Sequence, residues 1–145
     1  MLKKILLGAI ALFILIQFIP YGRDHVNPKV VAEPQWDSPK TRQLFMQSCG
    51  DCHSNETKWP FYSNIAPISW LVYHDVEEGR EHFNISMWGV QKKNKGDEAA
   101  EEVEDGEMPL YPYLLAHPEA RLTEEQKRSF IIGLKNTFGE EKEEH

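Results

Sequence analysis

The chain has two cysteines, Cys49 and Cys52, and a histidine directly after the second. The run Cys49-Gly50-Asp51-Cys52-His53 reads C-x-x-C-H, the attachment spacing of a c-type haem. The residue types have a chemical reason. Two thiols on one helical turn can each add across one of the two haem vinyl groups. The imidazole of His53 then reaches the iron from one side of the ring. No other cysteine exists, so no thiol is left for another task. The expected cofactor is haem c with its iron, covalent, one per chain.

Three plainer readings compete. A redox dithiol of the thioredoxin kind belongs near a βαβ pattern, and none is visible. A structural zinc site needs four ligands, usually from a second Cys pair or a paired His, and no second Cys pair exists. A simple disulfide, or chance, is the third.

With His53 on one side, the iron needs a decision about the other. Met108 has the right context, in a loop between two helices with Pro109 stiffening the backbone beside it. A thioether is a soft, neutral ligand that favours Fe(II) and raises the reduction potential. The plainer role of a Met is to fill gaps in a core. The rivals as distal ligand are Met87, His74, His82 and His117. Leu110, Tyr111 and Tyr113 would shield the haem edge. A carbonyl of the loop near Pro60 or Pro67 is the expected acceptor for the second ring nitrogen of His53.

Two further groupings invite a chemical reading. His74, Glu78 and His82 fall four apart on one helix face, the spacing of a surface metal site. A solvated charged face explains them more simply. Arg80 suits a haem propionate, since its fork matches carboxylates, although such an Arg more often pairs with a nearby Glu.

The elements that must position these residues read as follows. Ser38-Pro39 starts a helix, with Ser as cap and Pro in the first turn. Leu44, Phe45, Ser48 and Cys49 follow at helical spacing, so this helix delivers the C-x-x-C-H at its C-terminal end. Residues 55–67 form a packed, Pro-containing loop. A helix runs from Pro67 or Ser69 to about Phe83, with Ile68, Leu71, Val72, Val76 and Phe83 as its apolar stripe. Residues 91–96 form a surface loop, and 97–105 a short, Glu-rich helix. Residues 106–113 are a rigid aromatic loop carrying Met108. Thr123-Glu124-Glu125-Gln126 is a capping box opening a last helix, with Phe130, Ile131, Leu134 and Phe138 buried and Gly139 as its stop.

The N-terminus is of another kind. Lys3 and Lys4 precede an apolar run over residues 5–19. The run is short for a full span, but it suits a signal anchor, favoured here over a cleaved signal peptide. By the positive-inside rule the chain is expected to be a single-pass protein of the bacterial cytoplasmic membrane. Its haem domain would face the periplasm, or be exported if the leader is cleaved. The expected organisation is residues 1–22 anchor, 23–37 linker, 38–139 haem domain and 140–145 acidic tail.

The 145 residues hold one such domain, with a formal net charge of −7. A haem helps so small a chain, because the macrocycle is itself a large apolar core element. The charge argues against nucleic acid, which wants a basic stripe. It fits docking on a basic partner, although acidity alone usually serves solubility.

The order of helix, C-x-x-C-H, packed loop, helices, Met-Pro loop and capped terminal helix resembles small class I cytochromes c. More narrowly, the chain resembles the bacterial haem-binding domain proteins. The residues that carry the resemblance begin with Cys49 to Thr57 and Trp59-Pro60. They continue with Ile65-Ala66-Pro67, Ser69-Trp70 and Glu78-Gly79-Arg80. The last are Gly106-Glu107-Met108-Pro109, His117-Pro118 and Leu122-Thr123. The likeness covers residues 38–138. It implies an all-α, cytochrome c-like domain preceded by a hydrophobic helix. It also implies covalent haem c, with His53 as proximal and Met108 as distal ligand.

The leading expectation is therefore a carrier of single electrons between membrane complexes and redox partner proteins, not an enzyme. The alternative is a haem-based sensor or peroxidase-like domain with a displaceable distal ligand, in which His74 or His82 takes part. A non-haem interaction or redox-thiol module requires the motif to be accidental.

Overall fold

The computed structural model describes residues 1–139 and is built from helices. The acidic tail expected at 140–145 lies outside the described residues. There is no strand among the described residues, only an isolated parallel bridge between Ala32 and Met87. Seven α-helices follow in order: α1 (Leu2–Ile16), α2 (Pro39–Ser48), α3 (Gly50–His53), α4 (Ile68–His82), α5 (Ala99–Asp105), α6 (Tyr111–Ala116) and α7 (Glu124–Phe138). The all-α expectation holds.

Local signals set the main helix starts. Ser38 Oγ accepts from the Thr41 N–H at 3.2 Å, and Pro39 occupies the first turn of α2. Such a cap contributes about 1 kcal/mol. Thr123 Oγ1 accepts from the Gln126 N–H at 3.2 Å, and the Gln126 side chain accepts from the Thr123 N–H at 2.9 Å. Both halves of the capping box at α7 are therefore made.

The core lies where α2, α5 and α7 meet. Leu44, Phe45, Ile85, Val103, Phe130 and Leu134 are buried there. Phe45 is the hub: its ring lies edge-on to Phe83, Phe130 and Phe138 at centroid distances of 6.0, 6.5 and 6.0 Å. This edge-to-face arrangement is the one that ring quadrupoles favour. Helices α2 and α7 cross closely because α7 has Gly133 at the contact. A Cβ there would lie 2.1 Å from Thr41 Oγ1.

Several expectations change in the folded chain. Helix α2 ends at Ser48, and the motif occupies its own turn, α3, with Cys49 capping both. The loop expected over residues 106–113 is shorter: from Tyr111 the chain is already in α6, because Pro112 falls in the first turn, where a missing N–H costs nothing. Of the stripe expected on α4, Val76 is buried, but Ile68 and Leu71 are about half exposed. The inner face of α4 is set by Ser69, Val76 and the close approach of Gly79 to α3.

Residues 23–37 carry no helix and lie along the domain as a strap. Asn27 Nδ2 donates to the Thr57 carbonyl at 2.9 Å, and the Val31 N–H to the Ser86 carbonyl at 2.8 Å. At the end of the strap, Glu33 accepts two hydrogen bonds from Arg42, each 2.8 Å, and a third from Trp36 Nε1 at 3.0 Å.

The membrane expectation is corrected. Among the described residues, no helix is long and apolar enough to cross a membrane. Helix α1 has 15 residues, about 22 Å at 1.5 Å per residue, against a hydrocarbon core of about 30 Å. Helix α1 ends in a turn at Gln17, within the apolar run, and the Gln17 side chain bonds back onto Ala66: Nε2 donates to the Ala66 carbonyl at 2.9 Å and Oε1 accepts from its N–H at 3.0 Å. The single-pass anchor, the membrane as partner and the placement of the domain at the periplasmic face are not supported.

Candidate functional site

The turn that carries the motif is held from within and from both sides. The Cys49 N–H donates to the Phe45 carbonyl at 2.7 Å, and the His53 N–H to the Cys49 carbonyl at 3.0 Å. Ser48 Oγ closes on the Leu44 carbonyl at 2.7 Å and Ser54 Oγ on the Gly50 carbonyl at 2.6 Å. Gly79 then lets α4 sit directly on α3, since a Cβ at that position would lie 2.8 Å from the Cys52 carbonyl oxygen.

Beyond this turn, a polar lattice fixes the chain that follows. Asn84 Nδ2 donates to Asn55 Oδ1 at 2.7 Å, the Asn55 N–H to Ser86 Oγ at 2.9 Å, and the Ser86 N–H to Asn84 Oδ1 at 2.9 Å. All three residues are buried, and they pair with one another, with the Lys29 carbonyl and with Gln91.

His53 is buried at 7% exposure. Its Nδ1 lies 3.1 Å from the Phe83 carbonyl. A carbonyl only accepts, so Nδ1 carries the proton and Nε2 the lone pair. Burial pushes the imidazole down to about 4, which keeps it neutral and able to ligate a metal. The acceptor is thus not a carbonyl of the loop near Pro60 or Pro67 but the one that ends α4. The Phe83 ring also stacks on His53, centroids 4.3 Å apart.

Cys49 and Cys52 are free thiols. Burial pushes Cys49 up to about 11. Burial, with the charge of Asp51, pushes Cys52 up to about 12. Redox dithiols work by the opposite shift, a lowered thiol pKa. The environment therefore speaks against the redox-thiol reading.

Cys49, Cys52, His53 and Met108 all border one cavity of about 500 Å³, within the roughly 300–1,000 Å³ of small-molecule and cofactor sites. Phe45, Phe83, Val103 and Leu134 supply apolar wall, and Lys93 and Lys95 stand on its border. Met108 is placed by its own N–H, which donates to the Glu102 carbonyl at the end of α5 at 3.0 Å.

The other residues singled out by type fall elsewhere. Met87, His74 and His117 do not border the cavity, whereas His82 does. His82 Nε2 is 3.0 Å from Glu98 Oε2. His74 pairs with Glu78 at 3.3 Å, and among the described residues no His, Cys, Asp and Glu group could hold a metal ion. Arg80 is spent on the backbone around the strap. It donates to the carbonyls of Ser54 and Val26, each at 2.9 Å, and to Asn27 Oδ1 at 3.0 Å and Thr57 Oγ1 at 2.9 Å.

One contact went unread in the sequence. Tyr113 Oη on α6 donates to Asp51 Oδ2 at 2.7 Å. Burial, then this carboxylate, raises the Tyr113 phenol, so it stays protonated and able to donate. Only Gly79 among the missed residues had a signal, an isolated glycine inside a helical pattern.

The residues fit a haem on their own terms. An apolar cavity of suitable size holds a neutral, tautomer-fixed imidazole, two thiols and a thioether. An all-helical domain built around such a site is a haem-binding domain. The chain matches the haem-binding domain family over residues 11–136 and belongs to that family. No curated protein and no solved structure matches it.

Proposed function

We propose that this domain binds its haem covalently through Cys49 and Cys52, one haem per chain, with His53 and Met108 as axial ligands, and that it carries single electrons. The observation that carries the reading is that these four side chains, from α3 and from the loop between α5 and α6, border one cavity. When bound, haem iron supplies a one-electron couple between Fe(III) and Fe(II). The protein contributes the rest. His53, locked by the Phe83 carbonyl, presents Nε2 in a fixed orientation. Phe45, Phe83 and Leu134 would hold the ring against apolar surface, and a drier, Met-ligated iron would have a higher potential.

The haem-binding unit is assigned to residues 38–139, with the strap 23–37 fastened along it and 1–22 leading in. Its order of helix, attachment turn, helices, Met-Pro loop and capped terminal helix supports a cytochrome c-like arrangement.

A second reading, a sensor or peroxidase-like site with a displaceable distal ligand, is favoured by one observation. His82 borders the same cavity and is held there by Glu98. An open distal position beside a polar base is what such chemistry needs.

Oxidised and reduced optical spectra separate the two. The carrier gives a low-spin c-type spectrum with the weak far-red sulfur-to-iron band when oxidised. A high-spin spectrum without that band, with rapid carbon monoxide binding, would move the assignment to the second reading.

A further inference from the structure

The cavity is bordered by parts of the chain far apart in sequence. The attachment turn α3 is one of them. Met108, Pro109 and Leu110, leading into α6, are another. A single side-chain hydrogen bond joins them directly: Tyr113 Oη to Asp51 Oδ2, 2.7 Å across 62 positions of sequence.

Both ends of this contact are themselves held. Asp51 lies between the two cysteines, and its other oxygen accepts from the Lys58 N–H at 2.8 Å, while its carbonyl accepts from Thr57 Oγ1 at 2.6 Å. Tyr113 stacks on His117, ring centroids 4.3 Å apart. His117 Nε2 and Tyr62 Oη are 2.6 Å apart, and His117 Nδ1 is 3.0 Å from Glu119. Tyr113 also borders the cavity. By contrast, none of the residues of α6 is fully buried, so this short helix has little apolar burial to hold it over the site.

We infer that the Tyr113–Asp51 hydrogen bond is a clasp that holds Met108 at the iron, making Tyr113 and Asp51 positioning residues that set how readily the distal ligand gives way to an exogenous one. The inference rests on Met108 being the distal ligand. With the clasp closed, α6 and the loop before it are tied to the same turn that carries the haem, so the thioether and the attachment point move together. With it open, the loop loses its side-chain tie to the attachment turn, and Met108 gives way more readily to an exogenous ligand. Retention of the ligand is thereby written into the x-x of the C-x-x-C-H motif.

The test is imidazole binding to the ferric holoprotein, followed with the far-red band, in wild type, Tyr113→Phe, Asp51→Ala, the double variant and Met108→Ala. Tyr113→Phe keeps the ring and its stacking and removes only the hydroxyl. It is expected to raise imidazole affinity roughly ten- to a hundredfold, the worth of one hydrogen bond to a carboxylate, and to weaken the band. Asp51→Ala should do the same, and the double variant should add nothing to either, because the two changes break one contact. Should Asp51→Ala fail to mature with haem, Asp51→Ser takes its place in the cycle. Imidazole affinity unchanged in Tyr113→Phe, or additive effects in the cycle, overturns the clasp while tight binding by Met108→Ala keeps the ligand assignment. An unaltered spectrum in Met108→Ala overturns the ligand assignment and the clasp with it.

Discussion

Gly79 lies against Cys52 so closely that the position has no room for a side chain. A Cβ would sit 2.8 Å from the Cys52 carbonyl oxygen and 2.9 Å from its Cβ. The short turn α3 and the helix α4 are thus packed backbone to backbone, and the carbonyl at the end of α4 can reach His53. Gly79→Ala must push one of them aside. Overpacking of this kind costs roughly 1–3 kcal/mol. The expected result is a lower melting temperature together with poorer haem retention, measured by calorimetry and by the absorbance ratio of haem to protein. Wild-type values for both would show that the turn yields without cost.

The crossing of α2 and α7 makes a similar demand. A Cβ at Gly133 would lie 2.1 Å from Thr41 Oγ1 and 2.8 Å from its Cγ2. Gly133→Ala should destabilise the fold by about 1–3 kcal/mol, read by denaturant unfolding. Thr41→Ala in the same chain removes both of those atoms and should recover part of the loss. If the pair is no more stable than Gly133→Ala alone, the clash is not the cause.

The ligands have separable signatures. His53→Ala should prevent a stable low-spin haem, while Met108→Ala should lower the reduction potential, since a Met ligand raises it. Cys49→Ala and Cys52→Ala should each lose one thioether, seen as a shift of the reduced band in the pyridine haemochrome. No shift in either would argue against covalent attachment.

Glu33 fastens the strap and gives the fold a dependence on acid. Hydrogen bonding from Arg42 holds its carboxyl below the usual carboxylate range, with Trp36 assisting and burial opposing. A carboxyl with a lowered pKa in the folded state stabilises above its ordinary value, and that contribution is lost as pH falls through the lowered one. Arg42 is 41% exposed, so solvent screens the pair and the contribution is about 1 kcal/mol at most. Glu33→Gln should unfold slightly more easily at neutral pH and show a flatter decline in acid. Parallel acid profiles for the two proteins would remove Glu33 from the account.

Part of this molecule was legible in its sequence because the determining partners are neighbours. Cys49, Cys52 and His53 lie on one turn, so their spacing alone names a chemistry. Ser38 with Thr41, and Thr123 with Gln126, close their caps within three residues. The hydrophobic spacing of α7 placed Phe130 and Leu134 in the core, where both are buried. The leading apolar run was equally legible as a short hydrophobic helix, but the tie of Gln17 at its end to Ala66, 49 residues away, was not.

The rest depended on contacts that no local pattern carries. Which carbonyl orients His53 was decided by how α4 packs on α3, and it proved to be that of Phe83, 30 residues on. Whether Met87, Met108 or one of several histidines borders the cavity was decided by chain path, since their residue types are alike suited to iron. Arg80 had the chemistry for a carboxylate and was drawn instead to two segments, the strap at Val26 and the loop at Ser54 and Thr57, that converge only in the fold. Asp51 looked ordinary alone, and Tyr113 read only as a shield of the haem edge, so their contact was not foreseen. Sequence determined the groups that could bind a haem, because covalent and helical spacing is local. Tertiary structure decided which of them meet, because burial and hydrogen bonding between distant segments are properties of the packed chain.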